Sequence, residues 1–192
     1  MTSRPLVALF AAASLLALLG MVPGMAWAQP KLYHTRDEAL ALAFPEDVTR
    51  RPVPLELSET LVTAISEQAK VEAGFKDTEC VQGQHGGTVV GYACIDNQIG
   101  HQRYITYLIR IDHPQGAIAF LEVMEHREFI GNPANYPQFL RRFPGKTIAD
   151  PLWIGRDFPG ITGATQSSLA LTGGARKILR LYDLYLKQLP PL

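Results

Sequence analysis

Three runs of alternating side chains, set one after another in mid-chain, restrict the fold more than any other feature. The stretch "GTVVGYACI" (87–95) alternates around Val90, Tyr92 and Cys94. The stretch "RYITYLIRI" (103–111) alternates through Ile105, Tyr107, Ile109 and Ile111, and "AIAFLEVM" (117–124) follows a turn at "DHPQG" (112–116). A period of two marks strands with two unlike faces. Connections this short join strands only antiparallel. The centre of the chain is therefore expected to be a three-strand meander whose apolar face needs a cover.

Helical patterns on either side supply that cover. Thr35 and Glu38 have the spacing of a capping box, opening a short helix that ends before Pro45. "TRRPVPLEL" (49–57) reads as a proline-studded linker or edge segment. Ser58 caps the next helix, "ETLVTAISEQAKVEA", with Leu61, Ile65 and Ala69 on one face and Gly74 as its stop. "EHREFIGNPANYPQFLRRFPGK" (125–146) reads as a loop holding one short helix around residues 138–142. The last helix carries Ile178, Tyr182, Tyr185 and Leu189 at helical spacing. Gly173 and Gly174 within it mark either a break or a close packing contact. The class is α+β, an antiparallel meander sheet with helices packed on one side.

The first 28 residues have a different character. Arg4 precedes an apolar run from Leu6 to Val22, and Ala26-Trp27-Ala28 forms a small-x-small cleavage pattern. This is the layout of a secretory signal peptide cleaved after Ala28, with export to a periplasm as its simplest consequence. An uncleaved membrane anchor is the rival reading, weakened by Pro23 and Gly24. Residues 29–192 then form one domain. The full chain has 18 basic and 18 acidic residues, and removing Arg4 leaves 17 and 18. A net charge near −1 gives no electrostatic case for binding nucleic acid.

Cys80 and Cys94 flank "GQHGG", which reads as a turn between strands. In an exported chain a disulfide across that hairpin is the favoured arrangement, with two buried thiols the alternative. There is no CxxCH for covalent haem, and no Cys or His pair has zinc-site spacing.

"GITGATQSS" (160–168) precedes the last helix and admits two readings. In one, Thr165 or Ser167 is the N-cap and Gly163 makes the preceding turn. In the other, free N–H groups and the positive end of the helix dipole hold a phosphate, with Gly163 and Ala164 admitting it to the backbone. A threonine hydroxyl placed there can also be esterified by that phosphate.

Thr162-Gly163-Ala164-Thr165, with Ser167 and Ser168 following, resembles the attachment motif of the FMN-binding domain family with covalently bound flavin. That family includes flavin subunits of Rnf-type and sodium-translocating NADH:quinone reductase complexes. The resemblance extends upstream through the strand-rich centre and covers roughly residues 86–180. It implies FMN joined by a phosphoester to Thr165, installed from FAD by a flavin transferase. It further implies a cofactor site made of Thr162, Gly163, Ala164, Thr165, Gln166 and Ser167, with Glu128 in a loop beside the flavin. Pro159 stands where the family often has aspartate, the nearest acid being Asp157. Glu128-Phe129-Ile130-Gly131 stands where the family commonly has Glu-Thr-Pro-Gly.

No triad order, paired carboxylates or metal cluster suggests independent catalysis. His126 reads as a surface-loop histidine, and His34, His85, His101 and His113 carry no assigned chemistry. Trp153, Phe158 and Tyr136 read as core or lid rather than ring-stacking residues, and Arg141 and Arg142 as a solvated face. The expectation is an electron carrier working with a membrane-bound redox partner. A non-redox or redox-sensing binding module of the same fold is the alternative.

Overall fold

The computed structural model describes residues 31–127, 136–160 and 164–192. The expected signal peptide (1–28), Glu128, Thr162, Gly163 and the Tyr136 side chain lie outside what it describes. Six strands form one sheet in the order β1-β6-β5-β4-β3-β2. They are β1 (Lys31–Leu32), β2 (Thr49–Val53), β3 (Glu79–His85), β4 (Thr88–Ile99), β5 (Tyr104–Asp112) and β6 (Ile118–His126). Every pairing is antiparallel. Strands β3 to β6 are consecutive hairpins, so the expected meander is present and starts one strand earlier.

The first of these hairpins turns on Gly86 and Gly87 alone, at φ +56° and +80°. Two successive positive φ values suit the right-handed twist of a two-residue hairpin and are readily met by glycine. His85 is already paired, opposite Thr88. The tight turn sets a register in which Cys80 and Cys94 face each other, with Cα atoms 4.1 Å apart. They form a disulfide.

Alternation delivers the strands' two faces to two cores. Cys80, Tyr92, Cys94, Ile105, Tyr107, Ile109 and Ile111 share one core with Ile65, Leu171, Ile178 and Leu181. Those helical residues belong to α2 (Glu59–Ala69) and α4 (Thr165–Leu184). Val81, Ala93, Ile95, Leu108 and Met124 face the other way, onto Ala39, Leu40, Ala43 and Phe44. Three of these last four lie on α1 (Arg36–Ala43), and Phe44 is its C-cap. The large helices thus occupy one face as expected, while the short α1 covers part of the opposite face. Val90 departs from the simple alternation. A register shift opposite Gly83 and Gln84 puts Val89 on the Tyr92 side, and Val90 packs with the α1 core.

Local signals account for most helix ends. Thr35 caps α1 with both halves of the capping box formed, Thr35 N–H donating to Glu38 Oε2 at 2.7 Å. Ser58 Oγ accepts from Leu61 N–H at the start of α2. Helix α2 stops at Ala69 rather than at Gly74, because Lys70 takes the left-handed cap conformation (φ 55°, ψ 43°). Ser66 Oγ then accepts from Ala73 N–H at 3.0 Å and holds the chain after its turn. A short helix, α3, spans Tyr136–Leu140.

Gly173 and Gly174 do not break α4, which runs continuously for 20 residues. They serve close packing. A Cβ on Gly174 would collide with the buried Tyr107 side chain, and one on Gly173 would lie 2.8 Å from Val71 Cγ1.

Candidate functional site

Helix α4 begins at Thr165, and Ala164 occupies its N-cap position with no side-chain cap. The reading of Thr165 or Ser167 as the cap is therefore corrected. Thr165 is already inside the first turn and exposed, as is Gln166, while Ser167 is buried. Other hydroxyls nearby turn along the helix instead. Ser168 Oγ donates to Ala164 O at 3.0 Å, and Thr172 Oγ1 donates to Ser168 O at 3.0 Å. Ala164 supplies no side-chain cap, and the first turn has the anion-attracting character of a helix N-terminus.

From that turn a cleft of about 530 Å³ runs along the helix. Gln166, Leu169, Ala170, Gly173 and Lys177 line it from α4. Their spacing of three, one, three and four places them on one helix face. The ends of β4 and β5 form a second wall through Asp96, Asn97, Gln98, Ile99 and Tyr104. The third wall comes from residues between α2 and β3, among them Val71, Gly74 and Lys76. Ile99, Tyr104 and Leu169 are 59%, 53% and 43% exposed. Three of the large apolar side chains left in water thus line a single opening. Arg127 N–H donates to Tyr104 O at 3.4 Å, so the residue after β6 pairs with a strand residue that lines this cleft.

The floor of the cleft is charged and buried. Asp96 and Lys177 are 2% and 1% exposed and form an ion pair at 2.9 Å. Asp96 Oδ1 also accepts from Thr78 Oγ1 at 2.8 Å, and its Oδ2 accepts from Tyr107 Oη at 2.5 Å. Lys177 Nζ donates to Gly74 O at 2.7 Å and lies 4.7 Å from the centre of the Phe75 ring. Burial holds the Tyr107 phenol well above its ordinary value, and the Asp96 charge adds to that. Tyr107 therefore stays a neutral donor to a carboxylate.

The remaining expected residues separate from this site. His126 is not a surface-loop residue; it is 4% exposed at the end of β6. His113 Nδ1 lies 3.0 Å from Tyr182 Oη, away from the cleft. Phe158 is 1% exposed and packs against the Phe139 and Phe143 rings, as a core residue should. Trp153 lies beneath the Arg176 guanidinium at 4.0 Å. Arg141 and Arg142 are exposed. Asp157, the acid nearest the attachment motif, instead accepts from Leu152 and Trp153 N–H at 2.6 and 3.0 Å. Its carboxylate organises that loop.

A second cleft, of about 450 Å³, lies along β6 and is lined by Tyr33, His34, Phe120, Glu122 and Leu140 among others. No α4 residue lines it, and burial raises the Glu122 carboxyl above its ordinary value.

Sequence reasoning missed Asp96, Lys177 and Tyr107 as a unit. A signal was present. Asp96 follows Tyr92 and Cys94 at the parity of the inward face, and Lys177 falls within the apolar stripe of the last helix. A charge at core parity in two separate elements is the mark of a buried pair.

No protein-family model matches the chain, and a search of curated proteins finds no match. A phosphate held at the first turn of α4 would lie next to the α4 cleft. The cleft volume lies within the ordinary range for small-molecule sites. Its lining combines the apolar Ile99, Tyr104 and Leu169 with the charged Glu72, Lys76, Asp77, Asp96 and Lys177, and Gln166 extends it to the first turn of α4.

Proposed function

We propose that the protein is an exported electron carrier bearing FMN, joined through its phosphate to Thr165 Oγ1. One observation carries the reading: Thr165 is exposed on the first turn of α4, directly before Gln166, which lines the cleft. When bound, the flavin supplies reversible electron transfer, and the protein supplies position and electrostatics. The first-turn N–H groups and helix dipole attract the phosphate, and the small Ala164 admits it. Ile99, Tyr104 and Leu169 give apolar cover to a ring, while Asn97, Gln98 and Gln166 offer hydrogen-bonding groups at its edge. The Cys80–Cys94 disulfide supports an oxidising compartment, in keeping with a secretory signal. The partners in this reading are a flavin transferase for maturation and a membrane-bound redox protein for exchange of electrons.

The test is the mass of the tryptic peptide 157–176 from protein co-expressed with a flavin transferase. The expected result is one FMN per peptide in the native sequence and none in Thr165→Val. Because Thr165 caps nothing, the substitution should change stability by less than about 0.5 kcal/mol. An unmodified native peptide defeats the reading and leaves a binding module without flavin. Flavin retained in Thr165→Val moves the attachment elsewhere.

A further inference from the structure

The second cleft, along β6, has the size of a small-molecule site, about 450 Å³, and a mostly apolar lining. Tyr33 and His34 enter it directly after β1, where both of their N–H groups donate to Met124 O, at 2.8 and 3.2 Å. Phe120 and Glu122 line it from β6, and Pro137 and Leu140 from α3. It shares no lining residue with the cleft along α4, so what it binds is independent of the flavin reading.

Two polar groups of this lining lack a partner among the described residues. Tyr33 Oη is shielded from water and makes no hydrogen bond. The half-buried Glu122 carboxyl makes no hydrogen bond or ion pair either; burial raises it above its ordinary value, and the charge of His34 alone acts the other way. Arg141 also lines the cleft but is exposed, so water screens its guanidinium. A carboxylate desolvated without a cation costs stability, and a ligand that brings the cation offsets that cost. The aromatic walls suit a positive charge as well. The Tyr33 ring already attracts the ammonium of the exposed Lys31, 4.8 Å from its centre, and Phe120 offers a second ring. We infer that this cleft binds a small apolar amine, whose ammonium pairs with Glu122 and whose apolar body lies against Phe120, Pro137 and Leu140. A neutral molecule of the same shape gains the apolar contact without the pairing.

The test compares two probes of matching shape, phenethylammonium chloride and phenethyl alcohol, by titration calorimetry of the purified protein near about pH 7, where the unpaired carboxyl is largely ionised. The expected result is one saturable site per chain for the ammonium, about tenfold or more tighter than for the alcohol. Glu122→Gln keeps the shape of the side chain and removes a desolvated charge, so it is expected to fold at least as well as the native protein. A loss of binding in this variant is therefore not a loss of fold, and urea unfolding of the same sample checks that. In Glu122→Gln the ammonium should bind about tenfold or more weakly than in the native protein, while the alcohol binds as before. A half-buried carboxylate that serves no ligand gives a different pattern. No saturable binding of the ammonium below about 10 mM, equal affinity for the two probes, or an ammonium affinity unchanged in Glu122→Gln each overturns the inference. Because no flavin enters these measurements, failure here leaves the flavin reading standing.

Discussion

At the residue scale, the two adjacent glycines of α4 show how a contact decides the sign of a substitution. Replacing glycine by alanine inside a helix ordinarily gains about 1 kcal/mol in propensity. At Gly174 the added methyl meets Tyr107, a fully buried ring fixed by its bond to Asp96. Overpacking against such a neighbour costs about 1–3 kcal/mol. Gly174→Ala should therefore destabilise, by about 1–2 kcal/mol in urea unfolding. Gly173→Ala meets Val71, which is partly exposed and borders the cleft, and otherwise touches only Arg176 at ordinary contact distance. Its net change should lie within about 0.5 kcal/mol of zero, or be slightly favourable. Equal destabilisation at both sites would refute this account. From the sequence, the glycine pair supported a break and a packing contact equally. The partner that decides between them, Tyr107, is more than sixty residues away along the chain, and local pattern does not reveal it. Asp96 and Lys177 were hidden for the same reason: 81 residues separate them, and only the fold brings them together.

At the element scale, the β3–β4 hairpin was the most legible part of the molecule. Its alternation, its glycine turn and its two cysteines are all local signals, and each led to the same pairing. The disulfide closes a loop with a sequence separation of 14. A loop of about 15 residues is worth about 3 kcal/mol in the chain-entropy model. The double variant Cys80→Ala/Cys94→Ala should therefore lose about 2–3 kcal/mol while keeping its far-ultraviolet dichroism. Free thiol found in unreduced, unfolded protein would contradict the pairing itself. The helices were legible where side-chain caps mark them, at Thr35 and Ser58, and misread where the backbone alone sets the end. Lys70 carries no sequence signal for a left-handed cap, so Gly74 drew the boundary too late. At the start of α4 the run of hydroxyls suggested a cap, and the structure uses Ala164 instead.

At the scale of the whole molecule, the sheet carries helices on both faces, on one of them only in part, and its outer strands are ill suited to pairing. Strand β2 carries Pro52 together with Arg50 and Arg51, and β1 is only two residues long. Both features protect against edge-to-edge association. The half-buried Glu122 on β6 links the fold to pH. Burial raises its folded-state pKa above the ordinary 4.5, so the folded state binds this proton more tightly than the unfolded chain does. Its contribution is therefore favourable in acid and is lost as pH rises through the raised value. Glu122→Gln should raise the urea midpoint near about pH 7 and leave it unchanged near about pH 4, where both states are protonated. No difference between the two conditions would show that the carboxylate is well solvated. The continuity of α4 has a final consequence. Since a single unbroken helix carries both Gln166 and Lys177, the two ends of the wall it gives the cleft are marks on one ruler. Whatever enters the cleft meets both marks at one fixed separation, and the helix has no joint with which to adjust.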